Sequence, residues 1–198
     1  MKLILAGNNE KKLKEMREIL SDMGCDLYSQ REAGLHFTVE ETGETFVENA
    51  RLKASAVVEK TGEAAIADDS GLEVEALEGA PGVHSAYYGG EACKTDFDRL
   101  QYLLSRMEGK ENRRAAFVST IVCMFPDGRS IEAEGRLEGE ILMKPQGEGG
   151  FGYDPVFYVP EAGRTLAQMS AEEKNKISHR GRALRVLKEK WGSEYADK

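Results

Sequence analysis

The hydrophobic positions of this chain change their period from one segment to the next. In several stretches apolar residues recur every three or four positions, which places them on one face of a helix. In other stretches they form short continuous or alternating runs, which predict strands. The spacing predicts helices over residues 11–20, 45–60, 95–107 and 178–191. The runs predict strands over residues 2–6, 64–67, 115–125, 130–143 and 156–159.

Turn and cap signals support these boundaries. Thr45 with Glu48, and Ser170 with Glu173, fit the capping box that begins a helix. Residues 126–128, Pro-Asp-Gly, indicate a turn between two strands. Early strand–helix units around a strand-rich middle predict an α/β fold with a mixed, twisted sheet flanked by helices. We expect one domain, residues 1–198, made of two lobes with a cleft between them.

Composition and charge restrict the class of partner. The 198 residues carry a formal net charge of −8, which disfavours a protein that coats nucleic acid. A small anionic substrate needs only a local cationic pocket, so it stays compatible with this charge. The longest apolar run, residues 115–125, is interrupted by Ser119 and Thr120 and is too short to span a membrane. The polar residues that follow the first strand argue against a signal peptide and predict a cytoplasmic protein.

The first candidate site is the loop between the first strand and the first helix. A loop that begins a helix presents backbone N–H groups and the positive end of the helix dipole to an anion, and Lys12 can add a charge. An ordinary strand-to-helix turn explains the same residues when the loop is considered alone. The loop consists of Gly7, Asn8, Asn9, Glu10, Lys11 and Lys12.

Acidic residues form the second candidate site. Asp68 and Asp69 follow a small apolar run, and Ser70 with Gly71 is interpreted as a turn after them. Adjacent carboxylates are costly near a core strand unless they are paired or bind a metal, and Mg²⁺ prefers such oxygen ligands. Glu41 precedes the second helix and Lys53 lies along it, so both are further candidates. A solvent-exposed turn remains the alternative interpretation.

The third candidate site combines a glycine-rich loop with a basic segment. Gly147, Gly149 and Gly152 match the spacing of a dinucleotide-binding fingerprint, but Pro155 and the strand after it exclude the required helix. The loop presents Phe151 as an aromatic face on which a base could stack. Residues 174–185 carry five basic side chains and His179 but no acid, and His179 and Arg180, after Ser178 at a helix start, are placed to bind an anion or a carbonyl oxygen. A solvated basic helix face is the alternative for part of this segment. Together the three sites provide the groups of a nucleoside triphosphate pocket.

Several long motifs resemble the inosine/xanthosine triphosphate pyrophosphatase family, often called Ham1-like, and they occur in that family's order. The motifs are GNNEKKLKE, ETGETFVENARLKA, IADDSGLEVEAL, GAPGVHSAYY, RRAAFVS, GFGYDPVF and EEKNKISHRGRAL. The resemblance implies a two-lobed mixed α/β fold with a nucleotide cleft, a homodimer and dependence on Mg²⁺. It also implies hydrolysis of aberrant purine triphosphates such as ITP, dITP and XTP to the monophosphate and pyrophosphate.

The resemblance also implies roles for individual residues. Glu41 and Asp69 match the metal ligands, Asp69 the catalytic proton acceptor, and Lys53 a catalytic phosphate contact. The loop of residues 7–12 matches the triphosphate contacts, with Ser70 beside the proton acceptor. The expected base and sugar contacts are Phe151, Gly152, Tyr153, Asp154, Lys174, His179 and Arg180.

Two other functions remain open from the sequence. One is a pyrophosphatase for modified pyrimidine or methylated nucleotides on a similar scaffold. The other is a nucleotide-binding sensor without turnover, which the complete set of acids and lysines disfavours.

Overall fold

The computed structural model describes residues 1–195 of the 198, with side chains to residue 192. The strands are β1 Lys2–Leu5, β2 Asp26–Ser29, β3 Ala64–Val74, β4 Arg114–Met124, β5 Ser130–Ile141, β6 Phe157–Val159 and β7 Arg164–Thr165. The α-helices are α1 Glu10–Leu20, α2 Phe46–Thr61, α3 Asp96–Arg106, α4 Ala171–Ile177 and α5 His179–Tyr195. Short 3₁₀ helices cover Glu75–Leu77, Gly82–Tyr87, Gly90–Ala92, Asp154–Val156, Pro160–Ala162 and Leu166–Gln168.

The strands form one seven-stranded mixed sheet in the order β2-β1-β3-β4-β5-β6-β7. β1 pairs in parallel with both β2 and β3, whereas β6 is antiparallel to β5 and to β7. This confirms the predicted α/β class with a mixed sheet and flanking helices. In the part of the chain that the structure describes, no helix is both long and apolar enough to cross a membrane.

The chain divides into two compact units. The first contains residues 1–69, 119–135 and those from Arg180 onward. On one sheet face, small side chains of α2 (Ala50, Ala54 and Val57) pack against Ile4 and Ala65. On the opposite face, α1 and α5 share a core with Leu3, Ile66 and Ile121. The spacing of Leu13, Met16 and Leu20 in α1 produces this burial, as the sequence predicts.

The second unit contains residues 70–118 and 136–179. In its core, Leu103 of α3 belongs to one hydrophobic cluster with Leu72 of β3, Phe117 of β4 and Phe157 of β6. The capping boxes predicted at Thr45 and Ser170 are both present, and they begin α2 in the first unit and α4 in the second.

The interpretation of Ser70 and Gly71 as a turn after the acids is wrong. β3 continues from Ala64 through both acids to Val74, and Asp68 and Asp69 are buried within it. The apolar residues Leu72 and Val74 on the far side of the acids lie in the core of the second unit and keep the strand extended.

Two strands, β2 and β7, were not predicted from the sequence, whereas the predicted final helix is confirmed as α5. β2 buries a single apolar side chain, Leu27, so it carries little hydrophobic signal. β7 contains only two residues. The segment before the final helix forms the separate helix α4, and α5 begins at His179 after Ser178.

Candidate active site

The pleat of β3 sends the two adjacent acids to opposite faces of the sheet, because successive side chains of a strand alternate. Ile66 lies in the core beneath α1 and α5, and Asp68, two residues later, points to that same face. Ala65 and Ala67 lie in the core beneath α2, and Asp69 follows them on that face. The acids therefore belong to two different clusters of charged groups within the first unit.

Asp68 is at the centre of a buried ion-pair network under α1 and α5. Its Oδ2 lies 3.1 Å from the ammonium of Lys12 and accepts a hydrogen bond from Arg180 Nε at 3.0 Å. Its Oδ1 accepts a hydrogen bond from the hydroxyl of Ser119 at 2.6 Å. Arg180 also donates through Nη1 to the carboxylate of Glu15. Both oxygens of Asp68 are thus occupied by protein groups.

The network keeps Asp68 ionised. Burial opposes the charged form, but the charges of Arg180 and Lys12 and the hydrogen bond from Ser119 outweigh it and hold the pKa of the Asp68 carboxyl well below its usual range. Burial, with the nearby charges of Arg180 and Lys53, lowers the pKa of Lys12 despite the attraction of Asp68.

Lys53 is at the centre of the second cluster, on the α2 face. Its ammonium lies 2.8 Å from Glu41 Oε1 and donates to Asp69 Oδ1 at 3.0 Å and to the backbone oxygen of Asp68 at 3.2 Å. Burial opposes its charge, but the two carboxylates outweigh burial and raise the pKa of Lys53. The predicted metal ligands Glu41 and Asp69 are therefore brought together around one lysine.

Asp69 has one oxygen without a protein partner. Its Oδ2 is buried and makes no hydrogen bond in the described part of the chain. Burial raises the pKa of the Asp69 carboxyl in spite of Lys53, and the charge of Glu41 acts in the same direction. A carboxylate with a raised pKa and an oxygen available for a proton has the properties of a general base.

The predicted phosphate loop lies at the start of α1. The side chain of Asn9 caps the helix by accepting a hydrogen bond from the backbone N–H of Lys12 at 3.1 Å. Gly7 has φ +143°, a backbone conformation that residues with a side chain rarely adopt. A groove of about 890 Å³ beside the loop is lined by residues that include Asn8, Glu10 and Lys14. Residues 10–12 of the predicted loop form the first turn of α1, and Lys12 directs its ammonium to Asp68.

The glycine-rich loop of the second unit is organised around the pair of Asp154 and Lys174. Asp154 Oδ2 lies 2.7 Å from the ammonium of Lys174 and accepts a hydrogen bond from the backbone N–H of Phe151 at 3.0 Å. The same ammonium lies 4.4 Å from the centroid of the Phe151 ring. A Cβ on Gly150 would lie 2.0 Å from Asp154 Oδ2, so the close approach of this turn requires glycine. The arrangement fixes the aromatic ring.

The other predicted base contacts have defined surroundings in this unit. Gly152 donates its backbone N–H to Asp96 at 2.9 Å, and Tyr153 donates its hydroxyl to the backbone oxygen of Ser85 at 2.7 Å. His179 is buried and stacks on Phe117, with ring centroids 4.7 Å apart. Ser70 follows Asp69 directly in β3, is the first residue of the second unit and is half-buried.

The structure joins most of the predicted residues into three groups. Asp69, Lys53 and Glu41 form one group, Lys12 and Arg180 meet at Asp68, and Phe151, Asp154 and Lys174 form the third. Sequence reasoning missed Glu15 and Ser119 as partners of these groups. Ser119 left a signal, because it interrupts the apolar run of β4, and Glu15 lies three residues after Lys12 in α1.

Oxygen ligands in the Lys53 cluster suit a hard divalent cation, although the chain alone does not complete a coordination shell. No group of three or more His, Cys, Asp or Glu side chains in the described residues could hold a metal ion. Mg²⁺ commonly binds through one or two carboxylates together with substrate phosphates. Glu41 and Asp69, with the unpaired Asp69 Oδ2, fit that limited protein share.

Comparison with known proteins is consistent with this geometry. The model of the Ham1 family matches residues 3–190. The dITP/XTP pyrophosphatase of Thermus thermophilus is 53% identical over 191 residues, which cover 96% of this chain and 91% of that protein. The dITP/XTP pyrophosphatase of Desulforamulus reducens is 51% identical, covering 96% of this chain and 94% of that protein.

Solved structures show the same fold. The Ham1 protein of Staphylococcus aureus has a TM-score of 0.88 and 42% identity, covering 98% of this chain and 100% of that one. The nucleoside-triphosphatase / dITP/XTP pyrophosphatase of Mycobacterium abscessus has a TM-score of 0.76 and 42% identity, covering 94% of this chain and 98% of that one. On its sequence and its structure, this chain belongs to the Ham1 family.

Proposed function

We propose that this chain hydrolyses noncanonical purine nucleoside triphosphates, namely dITP, XTP and ITP, to the monophosphate and pyrophosphate. The observation that carries the proposal is the Lys53 cluster, in which a buried lysine joins Glu41 to Asp69 while Asp69 Oδ2 stays unpaired. The names of relatives that are about half identical over nearly the whole chain support the same reaction.

The reaction is one displacement at the α-phosphorus. The oxygen of a water molecule bonds to that phosphorus as the bond to the oxygen bridging the α- and β-phosphates breaks. The water gives a proton to Asp69, and pyrophosphate leaves with the electron pair of the broken bond. Lys53 stabilises the negative charge that develops on the phosphates, as positioned cations do in phosphoryl transfer.

The loop of residues 7–12 binds the triphosphate in this proposal. Its backbone N–H groups and the N-terminus of α1 attract the phosphate oxygens. Lys12 is held beside Asp68, so it reaches a phosphate from a fixed position at the end of a buried ion-pair network. Asn9 contributes by capping the helix whose N-terminus receives the anion.

Mg²⁺ is the proposed cofactor, with Glu41 and Asp69 as its protein ligands, and when bound it offsets the charge of the triphosphate. The need for such an ion follows from the charges present in the described residues. Three cationic side chains of the two clusters, Lys12, Lys53 and Arg180, face four anionic ones. The anionic side chains are Glu15, Glu41, Asp68 and Asp69. These clusters alone therefore leave a polyphosphate without a compensating charge.

For base recognition we propose the loop of the second unit, with the Phe151 ring as the stacking surface. Gly152, Tyr153 and Asp154 shape this loop, and Lys174 and His179 are proposed to read the 6-keto edge of the purine. Arg180 is assigned to the same edge by the resemblance, but its Nε and Nη1 are directed at Asp68 and Glu15. We therefore propose that Arg180 acts mainly by fixing Asp68, the carboxylate that holds the ammonium of Lys12. The homodimer remains a prediction of the resemblance, and the cytoplasmic location remains a prediction from the polar segment after the first strand.

The first test is a panel of triphosphates. Pyrophosphate release should be about 5–150-fold faster with dITP, ITP and XTP than with ATP, because an unpaired buried polar group costs about 1–3 kcal/mol. EDTA should abolish the release and Mg²⁺ should restore it. In H₂¹⁸O the label should enter the monophosphate, which ³¹P NMR detects.

Other results would select the alternatives. Release that is faster with modified pyrimidine triphosphates would indicate the related enzyme, and tight binding of ITP without turnover would indicate a sensor. Label found in pyrophosphate would place the attack at the β-phosphorus and contradict the mechanism.

A second test concerns the aromatic surface. Phe151→Ala should raise KM for dITP about 5–150-fold with a smaller change in kcat, because stacking of a base on an aromatic ring contributes about 1–3 kcal/mol. Phe97→Ala is the matched control, since it deletes the same ring in the same unit at a side chain that is 65% exposed. Equal KM values for the two variants would remove Phe151 from base binding.

A further inference from the structure

The segment that carries Glu41 is weakly anchored. No helix or strand includes residues 30–45, between β2 and α2, and the backbone of residues 38–42 makes no hydrogen bond within the described chain. Gln30 holds one end through the backbone oxygen of Phe37, at 3.2 Å. The position of the Glu41 carboxylate therefore depends on whatever holds the other end.

Asn49 holds the anchored residue of that end that lies nearest to Glu41 in the chain. Its Oδ1 accepts a hydrogen bond from the backbone N–H of Gly43 at 2.8 Å, two residues after Glu41. Because this N–H is a donor, the atom facing it must be the amide oxygen, which fixes the orientation of the side chain. Asn49 is fully buried in α2, one helical turn before Lys53 and on the same face.

Both partners of this hydrogen bond are restricted, Gly43 by space and Asn49 by its buried amide. A Cβ on Gly43 would lie 2.7 Å from Asn49 Oδ1 and 2.7 Å from the Cβ of Glu48. The amide nitrogen of Asn49 is buried without a hydrogen-bond partner in the described chain, a cost that a residue of simple packing function would avoid. An aspartate would supply the same acceptor but would add a further negative charge to the helix face that carries Lys53 and its two carboxylates.

We propose that Asn49 is a positioning residue that sets the Glu41 carboxylate beside Lys53 and Asp69 through its hydrogen bond to Gly43. In the described chain the Asn49 side chain makes no hydrogen bond to Glu41. It fixes the short link between the rigid helix that carries Lys53 and the irregular segment that carries Glu41. This inference rests on the proposed function, since it deepens the role of Glu41 as a ligand of the divalent cation.

Two variants break the same contact from opposite sides. Asn49→Ala removes the acceptor, and Gly43→Ala forces the segment away without altering any charged or polar side chain. Both should raise the dissociation constant of Mn²⁺, measured by electron paramagnetic resonance with a non-hydrolysable dITP analogue bound, by about 10–100-fold, as for other residues that orient metal ligands. Both should also raise the Mg²⁺ concentration that gives half-maximal pyrophosphate release.

Glu48→Ala is the matched control for loss of helix stability. Glu48 accepts hydrogen bonds from the backbone N–H groups of Glu44 and Thr45, so its removal breaks the cap of α2 but leaves the Gly43–Asn49 bond. We expect a lower Tm with a Mn²⁺ dissociation constant within about twofold of the wild-type value. In Asn49→Ala the amide of Gly43 should lose its hydrogen-exchange protection, whereas Glu48→Ala should retain it.

The outcomes separate this inference from the proposed function. If the wild-type protein releases no pyrophosphate from dITP, the proposed function fails. If it does, and Gly43→Ala and Asn49→Ala bind Mn²⁺ as tightly as the wild type, the inference alone fails. An equal loss of Mn²⁺ affinity in Glu48→Ala would also overturn it, because it would reduce Asn49 to a general stabiliser of the helix start.

Discussion

Replacing Asp69 by Asn is expected to lower kcat/KM for dITP by about 10²–10⁴-fold, the range lost when a positioned acid–base group is removed. An amide cannot accept the proton of the attacking water, and it is a weaker metal ligand than a carboxylate. The side chain keeps its size and can still accept a hydrogen bond from Lys53, so the geometry of the cluster is retained. Initial rates of pyrophosphate release at saturating Mg²⁺ measure the effect.

The same substitution is expected to leave Tm unchanged or to raise it. The pKa of Asp69 is higher in the folded protein than its ordinary value, so at neutral pH the ionised carboxylate is less favourable in the folded state than in the unfolded chain. The Asp69→Asn change would remove that unfavourable charge. A loss of activity accompanied by a large fall in Tm would indicate misfolding, and near-normal activity would exclude Asp69 as the base.

Replacing Asp68 by Asn, the same chemical change one residue earlier, is expected to have the opposite effect on stability and to lower Tm. Removing one partner of a buried ion pair costs about 3–5 kcal/mol, because the remaining charges stay buried. Here Lys12 would lose the carboxylate that lies 3.1 Å from its ammonium, and Arg180 would keep Glu15 but lose Asp68. For a chain of this length 1 kcal/mol corresponds to about 2–4 °C in Tm, so we expect a fall of about 6–20 °C by calorimetry.

The contrast between the two variants is the decisive result. The lowered pKa of Asp68 means that folding favours its charged form, whereas the raised pKa of Asp69 means that folding disfavours it. A Tm for Asp68→Asn within about 1 °C of the wild-type value, well below the fall derived from the loss of a buried pair, would contradict the structural role of the network. Asp68 would then contribute no more to stability than Asp69 does.

The sequence by itself determined the class of the fold, and it predicted most of the side chains that meet in the candidate site. The helical spacing in α1 and the capping boxes at Thr45 and Ser170 are local features, so they could be predicted without knowledge of distant contacts. The family motifs likewise contain the acids and lysines within short stretches of the chain. These properties depend on neighbours in the sequence.

The tertiary structure alone decided how the two adjacent acids divide their roles. The sequence predicted a turn at Ser70 and Gly71 after the two acids, but the core packing of Leu72 and Val74 selects an extended strand. Once the strand is extended, its pleat points Asp68 to Lys12 and Arg180 and Asp69 to Lys53. Arg180 is 112 residues from Asp68 in the chain, so no local pattern could reveal that pair. Local propensity predicts which side chains lie near each other in sequence, whereas the partners of a buried charge depend on long-range packing.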